Sequence, residues 1–338
     1  MSTGRGRTAW VIGGAGFLGR HVARRLATEG WIVHGLGHGT FTDIERLQWG
    51  YTRWIADTVT PDSLAVLQRR SGAPALIFHA AGGASVAASI ADPARDHART
   101  VGSIAVVLDH IERTGISPLL IYPSSAAVYG GRHEPIAETA PCVPVSPYGR
   151  HKLEAERLCL QAVARGSVNC VIVRWFSLYG PTLRKQVLWD VGNRIVSGEE
   201  PIMLGGTGAE TRDFLYVDDA ATLVALIARD PQRWPSIVNG ASGEPVRIGD
   251  IVARLAQALG CRPRFVFSGR QRPGDPPHLT ADIALANRNG FAPAVPLAEG
   301  IAAYAAWLSR ERRRASAHAT AIAARQQTVL GAHPTAPT

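Results

Sequence analysis

Tyr148 and Lys152 are two side chains that together can move a proton. They stand four residues apart in a run, residues 148–166, that predicts a helix, with Ser146 and Pro147 ahead of it as helix-entry signals. Residues four apart share one helical face, so the ammonium is expected beside the phenol. A nearby positive charge lowers a tyrosine pKa from its usual value of about 10, which favours proton exchange with a hydroxyl or ketone near neutral pH. This spacing alone is more often that of a solvated pair, so other motifs must decide.

A glycine-rich turn near the start of the chain predicts a phosphate-binding site. The apolar run Thr8–Ile12 predicts a strand, and residues 18–29 predict a helix. Between them stands Gly-Gly-Ala-Gly-Phe-Leu-Gly, residues 13–19. Glycines at this place let the backbone approach a pyrophosphate, and the N-terminus of the helix faces it. The order strand, turn, helix therefore predicts a dinucleotide cofactor.

The second predicted strand, residues 31–36, is not followed by the acid that NAD sites use. An Asp or Glu about 20 residues past the glycines holds the ribose 2′-hydroxyl in such sites. Here the chain has Gly37 and His38. Neither residue would repel a 2′-phosphate, and His38 could contact one, although no arginine stands there. His38 as an ordinary loop residue is the alternative, so the pattern permits NADP without requiring it.

Short apolar runs alternate with helical runs through the first half of the chain. This alternation predicts an α/β fold with a doubly wound parallel sheet. In such sheets ligands bind at the carboxyl ends of the strands. The residues at the predicted ends are the glycine turn, Asp57, residues 80–82, residues 124–125 and Arg174.

The composition is that of an ordinary globular protein. The chain has 338 residues, 46% hydrophobic and 19% charged, and no apolar run reaches the roughly 20 residues of a membrane span. Four scattered cysteines without a C-x-x-C pair predict reduced thiols, no metal site and a cytoplasmic location. The formal net charge is +9, without a basic stripe or an interleaved aromatic motif. That charge favours an anionic small substrate over nucleic acid.

Motifs in a fixed order make the sequence resemble the extended short-chain dehydrogenase/reductase family, in its nucleotide-sugar epimerase/dehydratase group. Each motif is weak alone, and together they cover residues 8 to about 310. They are the glycine turn, Asp57, His-Ala-Ala at 79–81, Ser-Ser-Ala-Ala-Val-Tyr-Gly at 124–130, Tyr-Gly-Arg-His-Lys at 148–152, Arg-Trp-Phe-Ser-Leu-Tyr-Gly-Pro at 174–181, Arg-Asp-Phe-Leu-Tyr-Val-Asp-Asp at 212–219 and Arg-Pro-Gly-Asp at 272–275.

The resemblance implies roles for individual residues. Ser125 would hydrogen-bond the reacting sugar oxygen, and Tyr148 would be the catalytic acid/base. Lys152 would lower the pKa of the tyrosine and hold the nicotinamide ribose. Arg212 and Arg272 would clamp the substrate diphosphate, for which guanidinium forks are suited. The implied cofactor-binding residues are Gly13, Gly16, Phe17, Leu18, Gly19, His38, Asp57, Thr58, Ala80, Ala81, Gly82, Tyr148 and Lys152.

Departures from the family pattern reduce the number of reactions that the resemblance allows. Ala126 and Ala127 stand where resembling 4,6-dehydratases carry an Asp–Glu pair, and a decarboxylase would need a Glu at position 127. Methyl groups supply no second acid or base, so the resemblance leaves 4-epimerisation or reduction of a 4-keto sugar. Ser177 is an implied substrate-binding residue, but it is shorter than the asparagine often found there. Thr100 replaces a common structural asparagine.

The sequence therefore predicts an NAD(P)-dependent oxidoreductase acting at C4 of a nucleotide-activated sugar. The missing ribose acid favours a 4-keto-sugar reductase that uses NADPH. The alternative is a 4-epimerase, similar to UDP-galactose 4-epimerase, that keeps NAD tightly bound. A catalytically silent nucleotide sensor is the third reading, and the intact Ser125, Tyr148 and Lys152 argue against it.

Two interleaved domains and a tail are expected. Residues 8–174 with about 214–240 would form a Rossmann domain that binds the dinucleotide. Residues from about 175–213 with 241–314 would form a smaller α/β domain for the nucleotide-diphosphate sugar. The Ala/Thr-rich residues 315–338 predict a disordered tail.

Two long helical runs, residues 92–113 and 148–165, predict a homodimer. In the resembling family, two such helices pack across a two-fold axis as a four-helix bundle. One apolar stripe would fit that interface or the sheet equally well. The stripe consists of Ile104, Val107, Leu108 and Ile111.

Overall fold

The structure, a computed structural model, describes residues 6–270 and 276–330. Its strands in chain order are β1 (Thr8–Ile12), β2 (Ile32–Gly37), β3 (Tyr51–Ala56), β4 (Leu76–His79), β5 (Leu119–Ser125), β6 (Asn169–Trp175), β7 (Ser177–Tyr179), β8 (Ile202–Leu204), β9 (Thr211–Tyr216), β10 (Ile237–Gly240), β11 (Pro245–Arg247), β12 (Phe265–Phe267) and β13 (His278–Leu279). Seven of them form one sheet in the order β10-β6-β5-β4-β1-β2-β3, and every neighbouring pair is parallel. The predicted doubly wound parallel sheet is confirmed.

Helices cover both faces of this sheet. The α-helices of the described residues, in chain order, are α1 (Phe17–Thr28), α2 (Asp43–Gln48), α3 (Pro61–Ser71), α4 (Val86–Ala91), α5 (Pro93–His97), α6 (Ser103–Thr114), α7 (Pro147–Ala164), α8 (Gln186–Val196), α9 (Val217–Arg229), α10 (Ile248–Ala258), α11 (Ala284–Arg288) and α12 (Leu297–Leu330). One face packs against α1 and α9, and the other against α3, α6 and α7. Because both faces are buried, strand β1 is apolar from Ala9 to Ile12: Ala9 and Val11 join one layer, and Trp10 and Ile12 the other.

A smaller α/β region has its own sheets and core. Strands β7, β9, β11 and β13 form a four-stranded sheet, and β8 pairs with β12. Helices α8, α10 and α12 supply a separate apolar cluster that includes Leu188, Leu255 and Leu308. This region is interleaved with the first, because β10 joins the central sheet while β9 and β11 do not. The numerical domain boundaries given above stay a prediction.

Two helical predictions differ from the structure. The run 92–113 is not one helix, because a π-helical turn over Ala98–Gly102 separates α5 from α6. In that turn Thr100 Oγ1 accepts a 2.9 Å hydrogen bond from the backbone N–H of Gly83. Helix α12 continues to Leu330, where the sequence predicts a disordered tail, and the high helix propensity of alanine accounts for the extension. Residues 331–338 lie outside the described residues.

The apolar stripe of α6 faces the central sheet. Ile104, Val107, Leu108 and Ile111 are buried within the chain, in the cluster that includes residues of β1 and β5. The stripe therefore supplies no interface with a second copy, and the homodimer stays a prediction without that support. Across the described ranges, no helix is long and apolar enough to cross a membrane.

Candidate active site

Helix α7 begins one residue before the predicted start and carries Tyr148 in its first turn. The hydroxyl of Ser146 caps the helix by accepting a 3.2 Å hydrogen bond from the N–H of Gly149, and Pro147 is the first helical residue. A Cβ at Gly149 would lie 2.4 Å from the carbonyl oxygen of Ala127. The glycine thus lets the first turn of α7 pack directly against the chain that follows β5.

The structure brings Ser125, Tyr148 and Lys152 together at the end of β5. The hydroxyl of Ser125 lies close enough to the phenol of Tyr148 to lower its pKa, and it accepts a 3.2 Å hydrogen bond from the N–H of Ala127. Lys152 Nζ lies 5.9 Å from the centre of the Tyr148 ring and donates a 2.9 Å hydrogen bond to the carbonyl oxygen of Pro123. It also lies 5.1 Å from the centre of the Tyr122 ring. The three residues expected to be catalytic are therefore neighbours.

Burial dominates the protonation of this group. It raises the pKa of Tyr148 to about 12, and the neighbouring hydroxyl of Ser125 offsets part of that rise. It also lowers the pKa of Lys152 to about 8, against the opposing charge of Asp96. The tyrosine pKa is raised and not lowered as expected, because desolvation disfavours the charged forms of both side chains.

The structure places a buried carboxylate beside Tyr148 and Lys152 that the sequence did not predict. Asp96 of α5 is 6% exposed, and its Oδ2 lies 2.7 Å from Nδ1 of His151 on α7. Its negative charge favours the protonated forms of both Tyr148 and Lys152. Neither residue type nor spacing signals a contact between positions 96 and 151, because two separate helices must pack to create it.

Arg174, expected at a ligand-facing strand end, belongs instead to a buried ion pair. Its guanidinium donates to both carboxylate oxygens of Glu156, at 3.0 and 2.7 Å. The hydroxyl of Ser124 donates to the same carboxylate at 2.5 Å. Arg174 is 4% exposed and Glu156 is 1% exposed. This network joins α7 to β5 and β6, and so fixes the strand end that carries Ser125.

The turn between β1 and α1 has the geometry of a phosphate site. Gly13 has a φ of +79°, and a Cβ there would lie 2.4 Å from the backbone nitrogen of Ala81, so the position requires glycine. Helix α1 follows Gly16 without a side-chain cap and without an acid in its first turn. Its first N–H groups are therefore directed at whatever anion binds there, which suits a dinucleotide pyrophosphate.

The expected adenosine end lies at the ends of β2 and β3. Gly37 ends β2, and a Cβ at this position would lie 3.2 Å from the indole of Trp54. His38 and Asp57 are exposed, and the carboxylate of Asp57 accepts a 2.7 Å hydrogen bond from the N–H of Thr58. The contact of these residues with an adenosine stays a prediction, and none of them selects between NAD and NADP.

The expected substrate residues lie on the smaller region. Arg212 on β9 is 9% exposed, and its Nη1 donates to the carbonyl oxygens of Thr211 at 2.7 Å and Pro277 at 3.4 Å. Ser177 begins β7, which pairs in parallel with β9. Arg272 lies outside the described residues, so its expected contact with the diphosphate stays a prediction.

Comparisons with known proteins identify similar sequences and structures. A putative UDP-glucose 4-epimerase of Methanocaldococcus jannaschii is 26% identical, over 90% of this chain and 99% of its own. A probable UDP-glucuronate 4-epimerase of Rhizobium meliloti is 28% identical, over 90% of this chain and 98% of its own. The crystal structure of a UDP-glucose 4-epimerase of Thermus thermophilus with NAD is similar at a TM-score of 0.81 and 25% identity, covering 89% of this chain and 99% of that one. The sequence model of the NAD dependent epimerase/dehydratase family matches residues 9–241, more than half of the chain, and the chain therefore belongs to that family of enzymes.

Proposed function

We propose that this chain is an NAD-dependent UDP-sugar 4-epimerase. The observation that carries the proposal is the placement of Ser125, Tyr148 and Lys152 next to one another at the end of β5, with Lys152 Nζ 5.9 Å from the centre of the Tyr148 ring. The next positions hold Ala126 and Ala127, which supply no second acid or base. A single proton-transfer group beside a dinucleotide pocket suits reversible oxidation at one carbon. The relatives compared above carry the names of UDP-sugar 4-epimerases.

Each residue has one task in the proposed reaction. Ser125 holds the C4 oxygen of the sugar beside Tyr148, which as the phenolate takes the proton of the C4 hydroxyl and later returns it. The positive charge of Lys152 favours that phenolate, against the burial that raises the pKa of Tyr148. NAD, which the glycine turn at residues 13–19 and Lys152 would hold, would supply the hydride acceptor for reversible oxidation at C4. Lys152 holds the nicotinamide ribose and keeps a positive charge near the phenol. Arg212 binds the diphosphate of the UDP-sugar through charge-assisted hydrogen bonds.

The NADPH-dependent 4-keto-sugar reductase, which the missing ribose acid suggests, is the weaker candidate. The relatives are named as epimerases, and the Thermus thermophilus structure contains NAD. The indole of Trp54 lies against Gly37, so the missing carboxylate does not by itself create room for a 2′-phosphate. We therefore place NAD ahead of NADP, and 4-epimerisation ahead of reduction.

Incubation of the purified protein with NAD and UDP-glucose, and separately with UDP-glucuronate, tests the proposal. We expect proton NMR to reveal the C4 epimer of one of these sugars without net formation of NADH, because the hydride is returned. Tyr148→Phe protein serves as the control. Stoichiometric consumption of NADPH with a 4-keto sugar, and no epimer from either UDP-sugar, would establish the reductase instead.

A further inference from the structure

Lysine is almost absent from this chain. Of its 36 basic residues, 34 are arginine and only Lys152 and Lys185 are lysine. Both lysines contact the short segment that follows β4. Lys152 Nζ would lie 3.7 Å from a Cβ at Gly82, and Lys185 Nζ donates to the carbonyl oxygen of Ala84 at 3.3 Å. A compact ammonium, as opposed to a broad guanidinium, is thus used at this site alone.

Within residues 6–270 and 276–330, nothing balances the charge of Lys185. The carbonyl oxygen of Ala84 is its hydrogen-bond partner there, and no carboxylate of those residues pairs with it. Burial lowers the pKa of Lys185, and no opposing charge counteracts that shift. The neighbouring Arg184, in contrast, pairs with Glu311. A partly buried cation without a counter-charge is costly, so this position is suited to a bound anion.

Lys185 lies close to Lys152, because both ammonium groups lie against residues 82–84. Lys152 owes its lowered pKa first to burial and then to the charge of Lys185. Arg20, in the first part of α1, likewise has a pKa lowered by burial and by the charge of Arg184. Lys185 is therefore on the side of the site that holds Lys152, whereas Arg184 is turned toward Glu311.

We propose that Lys185 binds the C6 carboxylate of a nucleotide-activated hexuronic acid. The inference rests on the proposed function, in which Tyr148 acts on the C4 oxygen. C6 is attached to the carbon next to C4, so a carboxylate there lies within reach of a cation beside the reaction centre. Arg212 already serves the substrate diphosphate, and the N-terminus of α1 serves the dinucleotide pyrophosphate. A neutral hexose would leave Lys185 without a counter-charge.

Kinetics with a charged and a neutral sugar test this subsite. UDP-glucuronate and UDP-glucose differ only in the oxidation state of C6. In Lys185→Met, we expect the ratio of kcat/KM for UDP-glucuronate to kcat/KM for UDP-glucose to fall roughly tenfold to a hundredfold, the usual effect of losing a charged hydrogen bond. Lys185→Arg keeps the charge and should recover part of the ratio. Arg184→Met removes the neighbouring cation and is the matched control, which should keep the ratio.

Two results would overturn the subsite. If Lys185→Met changes kcat/KM equally for UDP-glucuronate and UDP-glucose, Lys185 is a structural residue. If Lys185→Met loses affinity for NAD, Lys185 is a cofactor ligand. Equilibrium binding of both UDP-sugars to the NAD-loaded protein separates these results from a failure of the proposed function. A lower binding ratio in Lys185→Met supports the subsite even if neither sugar is epimerised. Epimerisation by Lys185→Met with an unchanged ratio between the two UDP-sugars would contradict the carboxylate subsite and leave the proposed function standing.

Discussion

Glu156→Ala should destabilise the protein strongly, because it removes one side of the buried ion pair that joins α7 to the central sheet. Glu156 accepts two hydrogen bonds from Arg174 and one from Ser124. Without the carboxylate, the guanidinium keeps a 3.3 Å hydrogen bond to the carbonyl oxygen of Glu138 and lies 4.7 Å from the centre of the Tyr129 ring. Neither contact neutralises its charge.

The burial of the pair sets the expected magnitude. Arg174 is 4% exposed, so water cannot replace the lost carboxylate. Breaking a buried ion pair by removing one partner costs about 3–5 kcal/mol of unfolding free energy. Replacing both partners by apolar residues of similar size is often neutral, so Glu156→Leu combined with Arg174→Met should recover most of that loss.

Urea unfolding followed by circular dichroism measures these differences. Glu154→Ala is the matched control, because Glu154 lies on the same helix, pairs with His97 at 3.1 Å and has a side chain that is 48% exposed. An exposed pair of this kind contributes about 0–1 kcal/mol. If Glu156→Ala costs no more than Glu154→Ala, the buried pair does not anchor α7, and the reasoning is refuted.

The remaining predictions concern the site and the assembly. Tyr148→Phe should lower kcat by a factor of roughly 10² to 10⁴ while the Kd of the UDP-sugar changes little; near-normal turnover in steady-state assays would reject its role as acid/base. Arg212→Ala should weaken UDP-sugar binding by about tenfold or more in calorimetry, with NAD binding kept as the internal control. Gly37→Asp should shift the ratio of NADPH to NADH dissociation constants toward NADH by repelling the 2′-phosphate, and its Cβ, 3.2 Å from the Trp54 indole, should also lower the melting temperature. Light scattering at micromolar concentration should give the mass of a homodimer, and a monomeric mass would contradict that assembly.

The parts of the fold that could be predicted depend on residues close together in sequence. Strand β1 lies at Thr8–Ile12 as predicted, because an apolar run ends there at a glycine turn. Helix α7 begins at Pro147 because the Ser-Pro pair ahead of Tyr148 is a local start signal. The Tyr148–Lys152 pair and the glycine turn at residues 13–19 are also patterns of residues close together in sequence. The resemblance to a family connected these two patterns.

The parts that could not be predicted depend on contacts between distant segments. Asp96 contacts His151 only because α5 packs on α7. Lys185, just before α8 of the smaller region, contacts Ala84 in the loop after β4 of the central sheet. The pKa of Tyr148 has the same origin, because its burial depends on everything that packs around it. A sequence shows that a lysine stands four residues away, but not how much water surrounds the phenol.

Glu156 differs from these distant contacts in one respect, because it stands four residues after Lys152, at the same spacing that relates Lys152 to Tyr148. Tyr148, Lys152 and Glu156 follow one another at intervals of four, and four residues at about 100° each return nearly to the same side of a helix. One stripe of α7 therefore carries both the proton-transfer pair and the carboxylate that ties the helix to β5 and β6. A rotation of α7 that moved the phenol away from Ser125 would also pull Glu156 away from Ser124. Since Ser124 and Ser125 are adjacent on β5, the buried ion pair sets the orientation in which Tyr148 meets Ser125.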